Sequence, residues 1–203
     1  VVELFSYLRA QVVVFLFLVF CTQFSWAGIS GVFNFGYDYD GDEVEPISFV
    51  SGNTHSVAAG KGVFLNVGAV MDFDTDHRFW RDFKVQSTLG YKIDAIPKAT
   101  NGSLDWSRIP VELLGFYHFR ESNLRLGAGL TYQFSNELRG TGVLQRQRQF
   151  DNSLGGVIEA DYLFGIKKNL LLGLRYTIIQ YRAASRFVTY NANSLGLQFG
   201  FIL

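Results

Sequence analysis

Cysteine is nearly absent: Cys21 is the one thiol in 203 residues, so no disulfide can form within the chain. Proline occurs three times, methionine once and histidine three times. Charged residues make up 18%, below the usual quarter, and the 18 Lys and Arg cancel the 18 Asp and Glu. That balance excludes the basic surface of a nucleic-acid binder. Beyond the N-terminal region no apolar run approaches the ~20 residues of a membrane helix, which excludes a helical membrane bundle. Apolar residues, by contrast, make up 48% and aromatics 16%, with 20 Phe, 10 Tyr and 21 Gly. Such content excludes a disordered chain. The length suits one domain.

Residues 1–27 carry Arg9, an unbroken apolar run from Val12 to Cys21, and the small residues Ser25 and Ala27 at a cleavage site. This is the pattern of a cleaved secretory signal peptide rather than a membrane anchor, because the run is too short to span. Cys21 follows Phe20, where a lipoprotein box requires a small residue. Cleavage after Ala27 would leave residues 28–203 as a single domain with no thiol, which suits an oxidising compartment.

Eight segments of that domain alternate with the period of a β-strand: 31–40, 63–73, 83–95, 104–119, 124–135, 153–164, 170–177 and 194–203. In the last, Leu195, Leu197, Phe199, Phe201 and Leu203 oppose Ser194, Gly196, Gln198, Gly200 and Ile202. Successive side chains of a strand point to opposite faces, so each segment has one greasy face and one small or polar face. The segment 104–119 is weaker, since Leu114 and Phe116 interrupt its polar face and Pro110 predicts a bulge or a strand end. Most segments are long for a soluble sheet, whose strands run ~5–6 residues, but suit strands tilted across a ~25 Å apolar band.

The links alternate too. Those at 74–80, 120–123 and 166–169 are short, while 41–61, 96–103, 137–152 and 184–191 are longer. Short turns on one side and long loops on the other are the arrangement of an outer-membrane barrel. Aromatics fall where two interfacial girdles would lie. Phe73, Phe83, Phe119, Phe164, Phe199 and Phe201 map to the periplasmic end, and Tyr37, Tyr39, Tyr91, Tyr132, Phe134 and Tyr176 to the outer end. The pattern therefore predicts an all-β fold: a closed, antiparallel, up-and-down transmembrane β-barrel of about eight strands.

Greasy faces turned to lipid leave the others facing inward. The expected interior network comprises Lys84, Lys92, Asp94, Glu112, Arg125, Glu159, Asp161 and Arg175, together with Asp72. Charges in so narrow a lumen must pair, and eight strands enclose only enough space for side chains to fill. A plugged interior is expected, with glycine at the crowded positions.

Catalytic chemistry finds little support. His55 and Ser56 are adjacent in the first long loop, His77 lies in a short turn, and His118 lies on an inward face near Glu112. No nucleotide loop or zinc pattern occurs. The acidic run Asp38, Asp40, Asp42, Glu43 and Glu45 lacks the order of a calcium loop and reads as a solvated rim. Arg139, Arg146, Arg148, Arg182 and Arg186 populate the last two outer loops, where guanidinium groups could contact lipopolysaccharide phosphates. No catalytic residue, metal site or cofactor is expected.

The stretches GYDYDGDE, STLGYKID, LRLGAGLTY, EADYLF and LGLRYT, with the ending LGLQFGFIL, resemble small bacterial outer-membrane β-barrel proteins. That group includes the membrane domain of outer-membrane protein A and the OmpX and OmpW types. The resemblance implies a monomer in the bacterial outer membrane, in contact with membrane lipid and lipopolysaccharide and handled by the barrel-assembly machinery during biogenesis. The role expected is structural or surface-interacting, through loops that meet lipopolysaccharide or external ligands. A narrow pore or conduit for small hydrophobic solutes is the alternative, and a lipid A-modifying enzyme the third. The family's deacylases use a His-x-Ser spacing, which His55–Ser56 does not reproduce.

Overall fold

The alternating segments pair into one continuous antiparallel circuit. The computed structural model describes residues 28–48, 54–73, 77–99, 102–141, 147–183 and 188–203; the leader read at 1–27 lies outside them. In chain order the strands are β1 (Ile29–Tyr39), β2 (Glu43–Ser48), β3 (Thr54–Ala58), β4 (Gly62–Asp72), β5 (Phe83–Ala99), β6 (Gly102–Phe119) and β7 (Leu124–Gly140). They continue with β8 (Gln147–Gln149), β9 (Ser153–Phe164), β10 (Leu170–Ile178), β11 (Gln180–Arg182), β12 (Thr189–Asn191) and β13 (Ser194–Ile202), and a short helix α1 (Arg78–Asp82) joins β4 to β5. Strands β6, β5, β4, β1, β13, β10, β9 and β7 are bonded in that order, and β6 pairs with β7 to close the cylinder.

The register fixes the barrel's shape. Ile29 pairs with Met71, Met71 with Val85, Val85 with Gly115, Gly115 with Ala128, Ala128 with Ile158, Ile158 with Tyr176, and Tyr176 with Leu195. Leu195 returns to β1 at Tyr39, 10 residues along from Ile29. That stagger over eight strands spaced ~4.8 Å apart tilts them by roughly 40°.

The outward positions are apolar. Leu113, Leu130, Leu172, Leu174, Leu195 and Leu197 are each more than half exposed. A soluble protein rarely exposes so much contiguous apolar surface, and hydrocarbon is the medium that suits it. Among the described residues no helix is long and apolar enough to cross a membrane; the crossing is made by strands. Tyr37, Tyr39, Tyr91, Tyr132 and Tyr176 ring one end of this belt. Stacked phenylalanines, including Phe73–Phe83 and Phe33–Phe201, mark the other.

One feature differs from the alternation as read, and of the two outcomes expected at Pro110 the bulge is the one found. The stretch 96–103 was expected to be a long link, yet β5 and β6 continue into it and pair as far as Ala99 and Gly102. Strands β5, β6 and β7 reach 17, 18 and 17 residues and rise above the rest of the barrel. Pro110 does not end its strand. The irregularity falls beside it, between Ser107 and Ile109, where Ser135 adopts a positive φ of 55°. This bulge lets both Gln133 and Asn136 face inward. The long loops also carry structure: β2 pairs with β3, β11 with β12, and β8 with the upper part of β7.

Candidate functional site

The interior is built in tiers, because every second residue of each strand points into it. At the end carrying Gly28 and Leu203, Lys84 lies 2.7 Å from Asp72, both partly exposed. His118 lies at the same end, opposite Arg125 in the β6–β7 register. Beside these charges Val32, Val70, Phe116, Leu163 and Leu171 are buried.

The middle tier is ionic. Arg125 Nε donates to Asp161 at 2.8 Å, and its guanidinium lies over the Phe116 ring, 4.1 Å from the centroid. Arg175 donates to Glu112 at 2.6 Å, lies 3.5 Å from Glu159, and covers the ring of Phe64. Gln198 donates to both Glu159 and Asp161, and Asn66 donates to Glu112 at 3.2 Å. Burying a charge is costly unless it is paired and hydrogen-bonded, and these links supply the pairing. Glycine makes the room. A Cβ on Gly173 would stand 1.8 Å from Asp161 Oδ1, and one on Gly196 would stand 1.9 Å from Asp38 Oδ1.

The upper tier holds the chain down over the lumen. Lys92 Nζ donates to Asp38 and to the Gly60 carbonyl, each at 2.5 Å. Arg108 is fully buried and donates to the carbonyls of Ala59 and Lys61. Lys61 lies 3.9 Å from Asp94, which also accepts from the Ala58 amide. Gly60 sits where three backbones meet: a Cβ there would stand 2.6 to 2.8 Å from the carbonyl oxygens of Asp40, Ala192 and Asn193. Above it lies a separate apolar core, in which Val44, Val57, Leu104, Trp106, Leu138 and Phe150 pack with Ile179 and Tyr181. Trp106 and Phe150 meet edge to face at 4.3 Å. The β2–β3 and β11–β12 hairpins thus form a cap over the barrel.

The interior residues read from the sequence come together here: Lys92, Asp94, Glu112, Arg125, Glu159, Asp161 and Arg175 are all buried, with Lys84 at the rim. Asp38, placed above in the acidic rim, instead turns inward to Lys92. Arg108, Trp106 and Tyr181 were not singled out. Counting back in twos from Glu112 reaches Arg108 and Trp106, and that was the available signal. Of the loop arginines, Arg139 pairs with Glu137 at 2.7 Å, Arg148 and Arg182 lie on β8 and β11, and Arg146 and Arg186 fall outside the described residues. Among the described residues no three His, Cys, Asp or Glu stand together so as to hold a metal ion.

No family model and no curated protein matches the chain. Solved structures do match it. Neisserial surface protein A aligns with a TM-score of 0.50 and 14% identity over 86% of this chain and 97% of its own. The fold is that of a small outer-membrane β-barrel. Ail of Yersinia pestis aligns at 0.48 with 12% identity, over 87% of this chain and 99% of Ail. OprG of Pseudomonas aeruginosa aligns at 0.48 with 16% identity, over 87% of this chain and 96% of OprG. At these identities the likeness is one of backbone, and the lumen pairs and cap must be read from this barrel's own residues.

Proposed function

We propose that the chain is an integral bacterial outer-membrane protein with a closed lumen, neither a pore nor an enzyme, which acts through its outer surface. The observation that carries this reading is the doubly closed interior: crossed ion pairs fill the middle tier, and an apolar core covers the outer mouth. An ion entering such a lumen would have to displace a buried charge from its partner, which costs several kcal/mol. The polar hairpins and the tall β5–β6–β7 wall then offer the surface that meets lipopolysaccharide or an external ligand, with Arg139, Arg148 and Arg182 on that side.

Planar-bilayer recording tests the closed lumen. No steady conductance is expected. Steps that change on replacing Lys92 or Glu159 would establish the narrow pore instead. Lipid A mass spectra with and without the protein test the exclusion of an enzyme, and an acyl change dependent on His55 would overturn it. Lipopolysaccharide binding is expected to weaken when Arg139 and Arg148 are both replaced by Gln; unchanged binding removes the loop arginines from the surface role.

A further inference from the structure

The turn that carries α1 does not hang free below the barrel. Phe79 and Trp80 fold back on the lipid-facing side. The Phe79 ring stacks on Phe83 at 6.0 Å and on Tyr117 at 5.7 Å, and Trp80 meets Phe73 and Phe83 edge to face at 5.9 and 5.8 Å. Even so, Phe79 is 54% and Trp80 49% exposed. Amphipathic aromatics at a strand end belong at the headgroup level of a membrane. Beside them stand two cations. Asp82, only 8% exposed, holds Arg120 Nε at 2.6 Å and lies 4.0 Å from Arg81 Nε. Arg120 also donates to the Arg81 carbonyl at 3.3 Å. Both arginine side chains are about half exposed, so Asp82 orients Arg120 without covering either of them. Among the described residues the cluster sets Arg81 and Arg120 against Asp82, next to a half-exposed aromatic surface.

We propose that α1 and the adjoining end of β6 form a platform for the headgroup of an anionic phospholipid. The proposal rests on the reading of this chain as a membrane-spanning barrel. The occupant is identified by complementarity. Acyl chains would lie along Phe79, Trp80 and Phe83, while the phosphate would meet the fork of Arg120 and the charge of Arg81, since guanidinium groups match phosphate oxygens in a bidentate manner. A zwitterionic lipid would leave this extra positive charge uncompensated. Lipopolysaccharide is not the source, because α1 lies at the opposite end from the cap.

The test uses the full chain in phosphatidylcholine vesicles containing a trace of spin-labelled phosphatidylglycerol or spin-labelled phosphatidylcholine. The motionally restricted fraction reports lipid held at the barrel. The wild type is expected to favour phosphatidylglycerol, Arg81→Gln to reduce that preference by about fivefold, and high salt to reduce it further. Because Arg120→Gln alone would strand the buried Asp82, Arg120→Gln is combined with Asp82→Asn, with the same loss expected; Lys167→Gln, an exposed cation on a different turn of the same end, is expected to leave the preference unchanged. Equal retention of the two lipids by folded wild type overturns the platform, as does a preference that survives removal of both arginines. A chain that inserts and shifts on unboiled gels but shows no preference leaves the barrel reading standing. A chain that neither inserts nor shifts overturns both.

Discussion

Arg175 Nη2 stands 2.6 Å from Glu112 Oε1, and the two residues come from strands that are not neighbours, β10 and β6, so the pair crosses the lumen. Glu112 also accepts from Asn66 and Thr88, which makes it the point where four strands meet. Removing one member of a buried pair leaves its partner charged and unsatisfied. Glu112→Ala is therefore expected to lower the unfolding free energy by about 3 kcal/mol, measured by urea titration in lipid vesicles. Because Arg175 also faces Glu159, the compensated form replaces all three, Glu112→Leu, Arg175→Met and Glu159→Gln, and should recover much of that loss. A single substitution as harmless as the compensated form would mean that the pair contributes nothing net.

The cap is expected to come apart separately from the barrel. Trp106 packs on Phe150 and Tyr181 and stands 5.4 Å from the Arg108 guanidinium, all above the ionic tier. Trp106→Ala would leave a cavity costing about 3–5 kcal/mol, borne by the hairpins rather than by the lipid-clad circuit. Hydrogen exchange should quicken in 54–61, 179–183 and 188–192, while the shift of unboiled protein on gels persists. Conductance should stay absent, because the pairs beneath are intact. Loss of the gel shift would show cap and barrel to be one cooperative unit.

Much of the barrel could be read in advance, and the cap could not, for one physical reason. A strand between lipid and a polar lumen must alternate, so β4, β10 and β13 announce themselves through pairs such as Leu65 with Asn66, Leu174 with Arg175 and Leu197 with Gln198. Above the membrane the rule reverses. There the inner face is apolar and the outer face meets water, so Leu104, Trp106 and Leu138 stand on the same strand faces as Glu112 and Gln133 below them. Leu114 and Phe116 looked like faults in a polar face because the lower lumen too is partly apolar; both are buried inside. Strands of three residues such as β8 and β11 are too short to show any period.

Gly60 supplies a sharper test of the closed outer mouth. Three carbonyl oxygens lie within 2.8 Å of where its Cβ would be, and backbone cannot move aside as a flexible side chain can. Gly60→Val should lift the 59–61 segment from Lys92 and Arg108. Trypsin cleavage after Lys61 in folded, vesicle-inserted protein is expected to accelerate about tenfold through easier local opening. An unchanged rate would show that Lys92 and Arg108 do not hold the mouth shut.

The medium around the barrel is tested by depth. Leu174 lies midway along β10 and faces outward at 52% exposure, while Leu154 faces outward near the outer end of β9 at 66%. In water these two positions would tolerate arginine about equally. In a bilayer, Leu174→Arg should cost about 2–4 kcal/mol and Leu154→Arg no more than about 1, since the penalty falls towards the interface. Reversible unfolding from vesicles measures both. Equal costs at the two sites would mean that something other than hydrocarbon covers the Leu-rich face, and the membrane reading would fall with it.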